Sequence, residues 1–575
     1  MLNPTTGNYV ISGGHESVMV LWQLDTGRKQ FLPHLPSPIC NIIVSPTGNS
    51  YAIKLANNCI IVLSARELQP YATIIGLQLS PKMAKARGQF VPEASRGTAV
   101  TVLHPQHPDQ LLVAVPASRQ TSQDGHCLAN ASVLQTYDIH TNSHISRQAL
   151  ARTNMTALNV NPEGSEILSP DIKYLDVSQD GKWMATVDSW SPYPQDVKAL
   201  GLSDAESLRT ADHEETFLKF WKWNNSSSLW ELVTRIDKPH FSDNGPTPVL
   251  GLASRPHSEE FVTLGTDAML RIWCPNSRPR SGLKTGSNAM LQLESWKCRN
   301  VIDLKGSSDP TKTGGLKAAS LAFSEDGSVL AVCLPGVSTT NPGPALLIDS
   351  QKCIIHYSRI GAYSGDPYAV KFLGRHLIIA SKRSVYVWDT VDDLVKVLGS
   401  PIDPQSTGNP QLLAVSPKTR TFAVATQRSR SASAKKSRVP QFLIQVYDIE
   451  SLAPVFSLSM GKCPLALLPD SHSGDYIAVD TAATVQRFGC SDRTSHTATR
   501  FPELPTRLNS GLVDLFGSQG PALQPRSLPN TSTPVTDKTS SRPGTLSGIF
   551  GDVPSFVLPP AGVLFRNVIQ SLSSR

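Results

Sequence analysis

Three short stretches carry residue types that could do chemistry. Asp25-Thr26-Gly27 is the tripeptide with which an acid protease presents a carboxylate. The same turn position returns down the chain without Asp-Thr-Gly, so here it reads as a turn at a strand end. His213-Glu214-Glu215 lacks the second His four residues on that would put two zinc ligands on one helix face. A phosphate-cradling G-x-x-x-x-G-K-[ST] loop, a G-x-G-x-x-G fingerprint and a G-x-S-x-G elbow are all missing from the sequence. The nine Cys are scattered with no C-x-x-C pair, as expected of reduced core thiols inside a cell. No catalytic, metal or cofactor site is expected, and no small-molecule substrate.

What remains is binding chemistry. Residues 428–438 hold five cations in eleven positions, Arg428, Arg430, Lys435, Lys436 and Arg438, interleaved with serines. Such a run is either a solvated loop or a segment for nuclear import or phosphate contact, open to phosphorylation. Arg278-Pro279-Arg280 with Lys284 is a weaker version. Residues 546–572 are apolar again after a polar stretch, with Phe550, Leu558, Pro559, Leu564 and Phe565 as candidate docking residues. They form either a last helix packed on the chain's own fold or a peptide for a partner. Trp22, Trp221, Trp223, Trp273 and Trp388 stand at strand ends, where aromatic packing between neighbouring sheets explains them better than base stacking.

The elements that must position these residues are strands. Val18, Val20 and Trp22 alternate with Met19, Leu21 and Gln23, the period of a strand, between Gly13-Gly14-His15 and Asp25-Thr26-Gly27. The phrase strand–turn–strand–turn–strand, ending in an aromatic, returns in eight further units: about 38–67, 97–150, 171–237, 247–302, 316–360, 367–400, 410–460 and 463–490. Ser-x-x-Gly turns recur in phase at 45–48, 178–181 and 324–327, and Tyr137-Asp138, Trp388-Asp389 and Tyr447-Asp448 close three units. A unit of this kind cannot bury both faces alone, so the units must stack radially as blades of β-propellers.

Composition agrees. Charged residues are only 17%, with 44 Pro and 38 Gly for turns, and a net charge of +7 permits an acidic partner such as RNA. No basic–apolar–small start opens the sequence, so no signal peptide is expected, and no apolar run approaches the ~20 residues of a membrane helix. The expected fold is therefore all-β: WD40-type β-propeller blades, the first of them incomplete, then a disordered tail. The stretch 491–545, rich in Ser, Thr and Pro, is expected to be a disordered linker, and 546–575 a docking segment. Because the first unit begins inside a blade, the N-terminus is expected to be incomplete, leaving exposed edge strands in 1–150.

Two stretches resemble one family. They are Gly13-Gly14-His15-Glu16-Ser17-Val18-Met19-Val20-Leu21-Trp22-Gln23-Leu24, with Lys29-Gln30-Phe31-Leu32-Pro33-His34-Leu35 after it, and Ser50-Tyr51-Ala52-Ile53-Lys54-Leu55-Ala56-Asn57-Asn58. Phe550-Gly551 and Leu558-Pro559-Pro560 resemble the same family's C-terminal segment. The family is the tandem-propeller WD-repeat subunit of the UtpA (t-UTP) subcomplex of the small-subunit processome, described in fungi as a Net-one-associated nuclear protein. The resemblance implies tandem WD40-type β-propellers, with residues 1–150 the last blades of an incomplete first propeller and 151–490 a second, and a scaffold without catalysis, in the nucleus and nucleolus. It implies other UtpA WD-repeat subunits, the 5′ leader of pre-rRNA and the U-three snoRNP as partners, and a role in 18S rRNA processing and polymerase I transcription. The competing expectation is a generic WD40 adaptor in trafficking or ubiquitin ligation.

Overall fold

The computed structural model describes residues 9–489 apart from 15–16, 33–34, 36, 66, 80–82, 87–88, 93–97, 118–119, 122–126, 129, 154–168, 191–213, 243–244, 280–291, 308–315, 317, 337–341, 382–383, 399–411 and 428–441. The nine units expected from the sequence are nine antiparallel sheets, each a meander of consecutive strands. Two of them stand at the N-terminus. One comprises Tyr9–Gly13, Met19–Gln23 and Lys29–Phe31; the other comprises Ile39–Val44, Ser50–Leu55, Cys59–Ser64 and Pro70–Ile75. They close on one core of Ile11, Met19, Tyr51, Ile53, Leu55 and Cys59. The second sheet's other face is open, with Ile43, Ile60 and Ile74 exposed.

The remaining seven sheets form a ring. Blade 1 has strands Thr101–His104, His107–Val115, Val133–Asp138 and Ser143–Ala149. Blade 2 has Asp171–Val177, Trp183–Trp190, Glu215–Asn224 and Leu229–Asp237. Blade 3 has Val249–Ser254, Phe261–Gly265, Met269–Pro279 and Gln292–Asp303. Blade 4 has Ser320–Phe323, Val329–Cys333, Pro342–Asp349 and Ile354–Ser364. Blade 5 has Pro367–Leu373, His376–Ser381, Val385–Asp389 and Leu394–Leu398. Blade 6 has Leu413–Ser416, Thr421–Gln427, Phe442–Asp448 and Pro454–Met460. Blade 7 has Pro464–Pro469, Tyr476–Asp480 and Val485–Phe488. The first strand of each blade lies beside the first strand of the next, and that of blade 7 lies beside that of blade 1. The seam closes where the Ala99 N–H donates to the Leu465 carbonyl at 2.9 Å. Residues 101–149, which the sequence grouped with the N-terminal stretch, thus stand in the ring.

Stacking explains the sequence pattern. A second strand is covered on both faces, so His376–Ser381 is buried along its whole length and reads as a continuous apolar run. An apolar cluster fills each junction. Between blades 4 and 5, for example, Ala331, Ala345, Val370, Leu377, Ile379 and Trp388 meet. Trp221, Trp223, Trp273 and Trp388 join these clusters as expected, whereas Trp22 stays half-buried beneath Lys29 outside the N-terminal core. Trp296, which the sequence did not single out, stacks on Phe220 at 4.2 Å and meets the edge of Trp183.

The Ser-x-x-Gly turns have a physical reason. In 178–181 and 324–327 the Gly N–H donates to the Ser carbonyl at 2.8 and 2.9 Å, and Ser Oγ accepts the N–H of Trp183 and of Val329 at 2.9 and 3.0 Å. Gly181 and Gly327 have φ of 71° and 69°, which an L side chain resists. The tripeptide Asp25-Thr26-Gly27 is likewise a turn, with the Gly27 N–H on the Gln23 carbonyl and an exposed Asp25.

Candidate nucleic-acid interface

In an antiparallel meander, the connections between strands one and two and between three and four leave one end of the sheet. Those between two and three and between blades leave the other. The ring therefore has a turn face and a loop face, and their charges differ.

The turn face is built of tight turns that hook one another. Gln106 Nε2 donates to the Gln179 carbonyl at 2.8 Å, Gln179 Oε1 accepts the His257 N–H at 2.8 Å, and Arg255 Nε donates to the Gly327 carbonyl at 3.0 Å. Glu325 accepts the Gly374 N–H at 2.9 Å, and Ser416 Oγ donates to the Gly474 carbonyl at 3.2 Å. Most cations of this face are already matched, Lys418 apart, which donates to the His472 carbonyl. Lys182 pairs with Asp180 at 3.1 Å, Arg255 and Arg299 share Glu260, Arg375 pairs with Asp389 at 2.9 Å, and Arg420 with Glu450 at 2.5 Å. Arg487 lies among Asp470, Asp475 and Asp109. A polyphosphate chain approaching here meets neutralised cations and surplus carboxylates.

The loop face differs. Arg152, Lys238, Lys305 and Lys462 are exposed there, each just past the fourth strand of its blade, in blades 1, 2, 3 and 6. Arg152 lies over the Trp190 ring at 5.4 Å, a cation beside a flat apolar surface. Gln427 and Phe442, the described residues that flank 428–441, end their strands at this same face. Arg428, Arg430, Lys435, Lys436 and Arg438 themselves lie outside the described residues, as do Phe550, Leu558, Pro559, Leu564 and Phe565. The sequence did not single out the four cations after the outer strands. Each is isolated in the chain, and its position becomes a signal only once the fourth strands are placed.

One buried constellation imitates a catalytic site. Trp273 Nε1 donates to Thr263 Oγ1 at 2.9 Å, Thr263 Oγ1 and His240 Nε2 are 2.9 Å apart, and His240 Nδ1 lies 2.9 Å from Asp267. A hydroxyl, an imidazole and a carboxylate in this order form the relay of a nucleophile, its base and the group that orients the base. Burial lowers the His240 pKa more than Asp267 raises it, so the ring is neutral near pH 7. Burial opposes ionisation of Asp267, but His240 and Arg271 prevail and hold its carboxyl below the usual range. Thr263 and His240 are wholly inaccessible, so no substrate atom can reach the hydroxyl. The relay ties the end of blade 2 to blade 3.

Residues 171–342, the first strand of blade 2 through the start of the third strand of blade 4, match the family described as WD repeat-containing protein 75 second beta-propeller. U3 small nucleolar RNA-associated protein 17 of Schizosaccharomyces pombe is 27% identical over 411 residues, 68% of this chain and 44% of that protein. NET1-associated nuclear protein 1 of Saccharomyces cerevisiae is 26% identical over 346 residues, 56% of this chain and 35% of that protein. Human WD repeat-containing protein 75 is 25% identical over 335 residues, 58% of this chain and 32% of that protein. The matched part spans less than half the length of each of these relatives.

Proposed function

We propose, from the premise that the chain belongs with WD repeat-containing protein 75 and its fungal relatives among the WD-repeat subunits of UtpA, that it is a non-enzymatic scaffold of the small-subunit processome. It binds nascent pre-rRNA and the U3 particle in the nucleolus beside other UtpA WD-repeat subunits. By doing so it supports 18S rRNA processing and polymerase I transcription. The ring is the body of its second propeller, residues 9–75 are blades of a first, and residues 546–575 dock on a partner subunit. The observation that carries the reading is the likeness to a protein named for its association with U3 RNA, running through 68% of the chain. The charge division of the ring agrees: RNA approaches the loop face, where exposed cations are spread over four blades, and avoids the turn face.

The test is affinity purification of the tagged chain from nuclear extract after crosslinking, with bound RNA sequenced. Recovery of the pre-rRNA 5′ leader with other WD-repeat processome subunits is expected. Recovery of coat or ubiquitin-ligase components with no rRNA enrichment overturns the reading.

A further inference from the structure

Blade 7 has three strands among the described residues, where the other six blades of the ring have four. A propeller ring is weakest where its chain begins and ends, because that seam lacks the covalent continuity of the others. Here the seam lies between blades 7 and 1. It is crossed by the Ala99–Leu465 hydrogen bond and by Arg487, 4.0 Å from Asp109.

Residues 76–79, which lead from the N-terminal sheets to the ring, are wedged into this seam. Leu77, 1% exposed, packs with Leu79 into one cluster with Leu111, Val113 and Val133 of blade 1 and Ala466 and Val479 of blade 7. The wedge is not a strand, so its backbone has no ladder partner. Two side-chain amides take that role, one from each side. Gln135 of blade 1, wholly buried, donates Nε2 to the Gly76 carbonyl at 3.0 Å, and its Oε1 accepts the Gln78 N–H at 2.8 Å. Asn58 of the N-terminal pair donates Nδ2 to the Leu77 carbonyl at 3.0 Å, and its own carbonyl accepts the Gly76 N–H at 3.0 Å. The fit leaves no room at position 76, where a Cβ would lie 2.5 Å from Asn58 Nδ2 and 3.0 Å from the Asn58 carbonyl oxygen.

We infer that residues 76–79 are the clasp that keeps the ring shut at the seam between blades 7 and 1, and that the N-terminal pair of sheets sets the strength of this clasp through Asn58. Leucines without the amides would leave three buried backbone groups, the Gly76 and Leu77 carbonyls and the Gln78 N–H, unpaired. The amides without the leucines would leave a cleft between two apolar blade faces. Anything that grips or displaces the N-terminal sheets thus acts on the ring's one discontinuous junction.

Hydrogen exchange of the full chain tests this, with Asn58→Ala, Gly76→Ala and Gln135→Ala compared with the unaltered protein. Loss of a clasp bond raises amide exchange about tenfold in residues 464–488 and in the strand His107–Val115, with less than about twofold change in blades 3 to 5. An equal rise in blades 3 to 5, or no rise in blade 7 for Asn58→Ala, overturns the inference. Asn58 lies outside the ring, so its variant carries the test if Gln135→Ala does not fold.

Discussion

His104 and His144 make the ring sensitive to acid. His104 accepts the N–H groups of Gln106 and His107 through Nδ1, and burial, helped by His107, lowers its pKa from 6.5 to about 4. His144 lies beside the Gln135 amide, and burial, helped by Arg147, lowers it likewise from 6.5 to about 4. A lowered folded-state pKa means that the unfolded chain takes up these protons first. The stabilisation is whole above pH 6.5 and is lost as the pH falls from 6.5 toward about 4. Thermal melts between pH 7 and 4.5 are expected to show this fall, and His104→Asn to flatten it. An unchanged pH slope in that variant would exclude His104 as a source. The buried relay predicts a different signature. Thr263→Val strands the Trp273 N–H and a nitrogen of His240, at a cost of about 2 kcal/mol that changes little between pH 7 and 8. Denaturant melts measure it.

At the scale of the element, the turns and the strand ends carry the predictions. Gly327→Ala puts a Cβ 2.6 Å from the Pro256 carbonyl oxygen in a left-handed backbone, whereas Gly27, with φ of 67°, has nothing within 4 Å. Gly27→Ala is therefore expected to cost about 1 kcal/mol, and Gly327→Ala distinctly more, with loosening of the hook between blades 3 and 4. Trp388→Ala empties the junction of blades 4 and 5 and removes the ring that Tyr357 stacks on and the indole N–H that Asp393 accepts, for about 3–5 kcal/mol in a denaturant melt. These elements also show where sequence is readable. First, second and third strands such as Val329–Cys333 are covered on both sides, so their apolar runs announce them. The Ser-x-x-Gly turns announce themselves because Gly meets their positive φ with least strain, although Arg420 takes φ of 54° in the first turn of blade 6. Fourth strands such as Gln292–Asp303 and Ile354–Ser364 border solvent and mix His, Arg, Lys and Glu with Ile and Val, so no period betrays them. Their lack of a pattern hid the cations that follow them, while the resemblance, which set residues 1–150 in a first propeller, hid that 101–149 close the ring. His240 and Asp267 meet only because the fold brings the entry to blade 3 against its own second turn, a pairing no local pattern encodes.

At the scale of the whole molecule, the two faces predict opposite responses. Reversal of Arg152, Lys238, Lys305 and Lys462 to Glu is expected to weaken binding of single-stranded RNA and to lower the slope of log affinity against log salt by about 3, at roughly 0.7 per phosphate contact. Reversal of Lys182 and Arg420 on the turn face is expected to leave that slope unchanged. Filter binding across a salt series distinguishes the two.

The meeting of Ala99 with Leu465 means that the order of the blades along the gene is a convention of where the ring is cut. The chain leaves blade 7 at the turn face and entered blade 1 at the loop face. A strand running back along Val485–Phe488 returns from that exit to the loop face, where the entry lies. A circular permutant opened between Gln427 and Phe442 would then carry all seven blades with its free ends on the face assigned to RNA.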